Sequence, residues 1–77
     1  MTLSQLLRSN WSAIRSRKQL HNRLRASASR LRELGHVNLA CDWERRLLRM
    51  PSCMEKEAIN YVLVTACLEL DNYGIND

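Results

Sequence analysis

The sequence predicts an all-α fold, a small three- to four-helix bundle with an αα-hairpin around Gly35. Three observations carry that expectation. The 77 residues include only 2 Gly, 1 Pro and no Phe, so helix breakers and strand-favouring aromatics are scarce. Apolar residues recur at three-four spacing along most of the chain. The β-branched run within 58–68 has no second strand to pair with, and a lone strand does not persist. The length allows a single domain, 1–77. A content of 45% hydrophobic and 26% charged residues excludes a disordered or membrane-embedded chain. A core this small supplies only about 3–5 kcal/mol, so self-association or a partner is expected.

Thr2 with Gln5 forms a capping box, so a helix should begin just before Leu3. Leu3, Leu7 and Ile14 keep one face, with Trp11 at its edge, and Leu24, Ala28 and Leu31 continue the spacing. Asn10, Arg17 and His21 make the seam between them polar, which implies a bend or a break near 15–20. Residues 1–34 therefore read as a basic N-terminal helix or helix pair, ended by Gly35. A second helix is predicted over 37–50, with Leu39, Ala40, Trp43, Leu47 and Met50 on one face. Asp42, Arg45, Arg46 and Arg49 point elsewhere, and Pro51 closes it. Ser52 with Glu55 reads as a second capping box, opening an apolar third helix over 53–70. Its stretch 58–68 carries no charge, yet falls short of the roughly 20 residues of a membrane span. A helix apolar nearly all round is buried on more than one side, and a second copy could cover the second side. Tyr73-Gly74 and the polar Asn76-Asp77 end the chain. The expected core is Leu24, Leu31, Ala40, Trp43, Leu47, Ile59, Val62, Leu63 and Ala66.

Charge is unevenly spread around a net +4. Residues 1–32 carry Arg8, Arg15, Arg17, Lys18, Arg23, Arg25, Arg30 and Arg32 and no acid. Residues 50–77 carry Lys56 against Glu55, Glu57, Glu69, Asp71 and Asp77. This polarity fits an anionic partner at one end or antiparallel self-pairing, and equally a solvated helix face. Arg8, Arg15, Lys18, Arg25 and Arg32 are the candidate residues for an anionic partner or nucleic acid; the last four are expected on one helical stripe. Ile59, Tyr61, Val62, Val64 and Leu68 are the candidates for self-association or a partner helix. The Arg- and Ser-rich start also has the look of a mitochondrial presequence, but is read as part of the mature protein. No secretory apolar region follows it, and the Asn10-Trp11-Ser12 sequon is read as chance. Cys41, Cys53 and Cys67 form no CxxC pair; an odd count suits a reducing cytoplasm, with all three thiols expected to be buried. His36 and Cys41 lack a second pair at ligand spacing, so neither a metal nor a cofactor is expected.

Leu34-Gly35 would suit the turn of a helix-turn-helix, but that register puts Leu31 where a small residue is needed and Glu44 on the inner face. Asp42 and Glu44 would also repel phosphate. If nucleic acid binds, the basic first helix is the better element. His21 and His36 have no recognisable catalytic company and no Gly-rich phosphate loop exists, so the chain is not expected to be an enzyme. Gly35, Ala40 and Trp43 suit a tight helical hairpin, similar to a single tetratricopeptide unit. Most of these residues are also explained simply as core.

Gly35, Ala40, Trp43 and Cys67, with Tyr61 near a second aromatic position, resemble the pattern of the small enterobacterial virulence regulators of the PerC and AraC-negative-regulator type. The resemblance spans roughly residues 28–67. Val37 stands where that pattern has an aromatic, and no Arg precedes Cys67 in the third helix. It implies a bacterial or phage protein that modulates transcription by binding other regulators or nucleoid proteins. The leading expectation is a non-enzymatic, cytoplasmic regulator acting by protein–protein contact as a homodimer, with no membrane partner. The alternatives are nucleic-acid binding through the first helix, and a phage- or plasmid-encoded inhibitor of a host enzyme.

Overall fold

A computed structural model describes residues 2–9 and 13–75. Among these, the chain forms four α-helices: α1 (Leu3–Arg8), α2 (Arg17–Glu33), α3 (Val37–Leu48) and α4 (Lys56–Asn72), with no strand. The all-α expectation holds, and residues 1–34 are a helix pair. Trp11, Asn10, the sequon and Asn76-Asp77 lie outside the described residues.

Two capping boxes set the first half. Thr2 Oγ1 accepts from the Gln5 amide at 3.1 Å while Gln5 Oε1 accepts from the Thr2 amide at 3.0 Å. Ser16 and Gln19 repeat the arrangement at the start of α2. Each box satisfies donors that the helical ladder leaves open. Helix α2 ends in a Schellman motif: Gly35 has φ +92°, and the His36 amide donates to Leu31 O at 2.9 Å. Helix α4 ends the same way, with Gly74 at φ +67° and the Ile75 amide on Leu70 O at 2.9 Å.

Three element bounds differ from expectation. Helix α3 stops at Leu48 rather than Met50, because the residue before Pro51 is driven out of helical geometry. Helix α4 starts at Lys56, with Glu55 as its N-cap and no side-chain cap bond. The Ser52–Glu55 capping box is therefore not formed. Residues 50–55 make an irregular link instead, and α4 runs on to Asn72.

Helices α2 and α3 form an antiparallel hairpin: Arg32 meets Glu44 near the turn, and Arg17 Nε donates to Pro51 O at 2.9 Å at the far end. Glu44 is thus on the outside of the hairpin. Helix α1 packs on α2, and α4 packs on α1 and α2. Between them lies a core of Leu3, Leu7, Ile14, Leu20, Leu24, Ala28, Leu31, Leu39, Ala40, Trp43, Leu47, Ile59, Leu63, Ala66, Cys67, Leu70 and Ile75. Val62, expected in the core, is half-buried at its margin. The thiols also divide: Cys67 is buried, Cys41 half-buried and Cys53 exposed, because Cys53 falls in the irregular link rather than in a helix.

Arg23 ties the helix pair together. Its Nη1 donates to Leu6 O at 2.9 Å, to Leu7 O at 3.4 Å and to Ser9 O, covering the open carbonyls at the end of α1. The buried Ser27 hydroxyl donates back to Arg23 O at 2.9 Å and so stays satisfied.

Candidate interaction surfaces

Helix α4 has two faces. Ile59, Leu63, Ala66, Cys67 and Leu70 are buried in the core. On the opposite side, Tyr61 is 72% exposed, Val64 48% and Leu68 55%. Spacings of three and four residues put these last three on one stripe. Of the five expected self-association residues, Tyr61, Val64 and Leu68 share this stripe. Val62 faces sideways into a cleft. Ile59 is fully buried and forms no part of the surface; the uncharged run of the sequence could not by itself divide inner from outer positions.

The cleft lies between α3 and α4 and holds about 350 Å³. Buried Leu24, Trp43 and Ala66 form its floor. Met50, Pro51, Met54, Tyr61, Val62 and Thr65 line its walls, and Arg46 and Arg49 reach it from α3. The gap follows from sequence. The bulk of Trp43 fills the space between the two helices, and the 50–55 link holds their near ends apart. Indole Nε1 donates to Glu69 Oε2 at 3.3 Å. Arg46 holds the other oxygen of Glu69 and donates to Asp42 Oδ2 at 2.8 Å. Arg46 is pushed above the ordinary guanidinium value, first by its hydrogen bond to Glu69, against the opposing effect of burial.

The basic candidates fall into three groups. Lys18, Arg25 and Arg32 lie seven residues apart on one exposed stripe of α2. Arg32 is engaged, donating to Glu44 and to Cys41 Sγ at 3.4 Å, and the Glu44 hydrogen bond leads the contacts that raise its pKa. Lys18 and Arg25 form no ion pair among the described residues. Arg15 is exposed but precedes α2, so it is not on the helical stripe where it was expected. Arg8 is on α1, with Nε on Cys67 Sγ at 3.5 Å and Nη2 3.9 Å from Asp71. Its pKa is raised, chiefly by the Cys67 contact. The basic first half and acidic last helix are thus joined within one chain, through Arg8–Asp71.

One exposed residue escaped the sequence reading. Leu48 is 88% exposed on the outer side of α3. Its place between Leu47 and Arg49, off the 39-40-43-47 face, was the available signal.

Among the described residues no three His, Cys, Asp or Glu side chains converge as metal ligands, and no helix is long and apolar enough to cross a membrane. Compared with protein families, curated proteins and solved structures, this chain matches none.

Proposed function

We propose that this is a small non-enzymatic regulatory protein that acts by protein–protein contact through α4. The observation that carries the reading is the exposed stripe Tyr61-Val64-Leu68, continuous through Tyr61 with an apolar cleft. An apolar surface of this kind is costly in water and is the ordinary mark of an interaction site. Aromatic and aliphatic anchors beside a preformed cleft are also the features on which binding energy concentrates. The resemblance of Gly35, Ala40, Trp43 and Cys67 to the PerC and AraC-negative-regulator pattern favours a transcription regulator or nucleoid protein as the target, in the cytoplasm of a bacterium. Homodimer formation belongs to the same reading.

The test is capture from bacterial lysate, with and without nuclease and at two salt concentrations, comparing the parent with Tyr61→Arg. A defined protein partner that survives nuclease and is lost with Tyr61→Arg is expected. Capture indifferent to Tyr61→Arg would remove α4 from the function.

A second reading, nucleic-acid binding, has one observation in its favour: Lys18 and Arg25 are exposed on a stripe with no carboxylate partner among the described residues. Such a stripe would meet phosphate with little sequence choice. Recovery that depends on nucleic acid, falls steeply with salt and is abolished by Lys18→Gln with Arg25→Gln would favour it.

A further inference from the structure

We propose that the α3–α4 cleft is a small-molecule site for an aromatic monocarboxylate, its ring held among Met50, Met54 and Tyr61 and its carboxylate on Arg49. This goes beyond the protein-contact reading, which concerns the outer stripe of α4.

Size argues for a small ligand. The cleft holds about 350 Å³, within the range of about 300–1,000 Å³ over which small-molecule sites are found. A single turn of helix, about 10 Å across and about 5.4 Å long, already fills about 420 Å³. A helix from another chain could lie across the cleft but not within it.

Charge sets the head group. Two arginines reach the cleft, and they differ. Arg46 is held by Glu69 and Asp42. Arg49 is exposed and forms no ion pair among the described residues, and neither Glu55 nor Glu57 at the start of α4 engages it. One guanidinium is therefore free to take one carboxylate, through the paired N–H donors that suit that group.

Register puts that charge at one end. Arg46 meets Glu69 in the C-terminal half of α4, while Met50 shares the cleft with Tyr61 and Val62. Arg49, next to Met50 in the chain, is at the end nearer the 50–55 link. The ligand that matches is charged at one end and apolar along the rest.

The walls favour a ring. Met50 and Met54 offer thioethers, which adapt in shape and make favourable contacts with aromatic edges. Tyr61 stands beside them as an aromatic surface, and Pro51 and Val62 complete the apolar lining.

The test titrates β-naphthoate, and separately its uncharged analogue β-naphthamide, into the full chain at one fixed, low micromolar protein concentration. Calorimetry reads affinity and the methionine methyl spectrum reads place. Binding of the naphthoate should be saturable by about 1 mM, with the Met50 and Met54 methyl signals moving together. The naphthoate should bind about tenfold more tightly than the amide. Arg49→Gln should bring the naphthoate down to the affinity of the amide and leave the amide unchanged, whereas Lys18→Gln should preserve the difference. Absence of saturable binding, equal affinity of acid and amide for the parent, or a preference that survives Arg49→Gln overturns the proposal. No protein partner enters these readouts, so their failure leaves the protein-contact reading in place.

Discussion

Trp43 links the core to the cleft: its ring is buried beneath the cleft floor, and its indole N–H meets a carboxylate. Trp43→Ala should cost about 3–5 kcal/mol in a denaturant melt, because it empties the floor and removes one of the two donors to Glu69. Trp43→Phe should cost less, since most of the volume stays. Equal stability of Trp43→Ala and parent would remove Trp43 from the core. Arg23 makes a different prediction. Its head covers the carbonyls of Leu6, Leu7 and Ser9, so Arg23→Met keeps the stem and loses the cap. The expected loss is about 1.5–3 kcal/mol, with faster amide exchange confined at first to α1. Exchange rising uniformly over all helices would contradict the local role. The raised pKa values of Arg8, Arg32 and Arg46 carry a sign. A base raised on folding contributes stability below its unfolded value and loses it only as pH climbs through the folded one. Those values lie in strong alkali, so deprotonation of these arginines leaves stability flat through the neutral range.

At the scale of elements, Ser16 decides where α2 begins. Ser16→Ala breaks the capping box and should cost about 1 kcal/mol, read as a lower melting midpoint; an unchanged midpoint would mean that Gln19 alone holds the start. Gly35 sets the other end. A Cβ there meets nothing within 4 Å, so Gly35→Ala is strained only by its backbone, at φ +92°. The expected cost is about 1–2 kcal/mol. The sequence made Gly35, Pro51 and the Thr2–Gln5 box legible, because each acts on the few residues beside it. It also contained Ser16-Arg17-Lys18-Gln19, a capping box that would have resolved the polar seam near 15–20 into a break. The Ser52–Glu55 pattern misled for a complementary reason. A cap pattern permits a helix start without requiring it, and α4 begins three residues later than expected. The sequence put Ile59 both in the core and on the association face, and only the core assignment holds. In a run apolar on every side, only packing against α1 and α2 chooses which positions go inside.

For the whole molecule, the radius of gyration of 11.6 Å matches the roughly 11.5 Å expected of a compact domain of this length. The apolar residues left outside are therefore not a sign of loose packing. Tyr61, Val64 and Leu68 share one side of α4, a different helix from the basic stripe of α2, while Val37, Leu48 and Tyr73 are exposed elsewhere. That separation predicts independent behaviour. Lys18→Gln with Arg25→Gln should change stability by no more than about 0.5 kcal/mol and leave α4-dependent association intact. The measurement that bears most directly on the account is the methyl spectrum of the chain labelled at methionine, followed as concentration rises. Met50 and Met54 line the cleft with Tyr61, so their signals should move as association covers Tyr61, and Tyr61→Arg should hold them still. Signals that stay fixed while the protein associates, or that move equally in Tyr61→Arg, would show that the contact surface lies elsewhere.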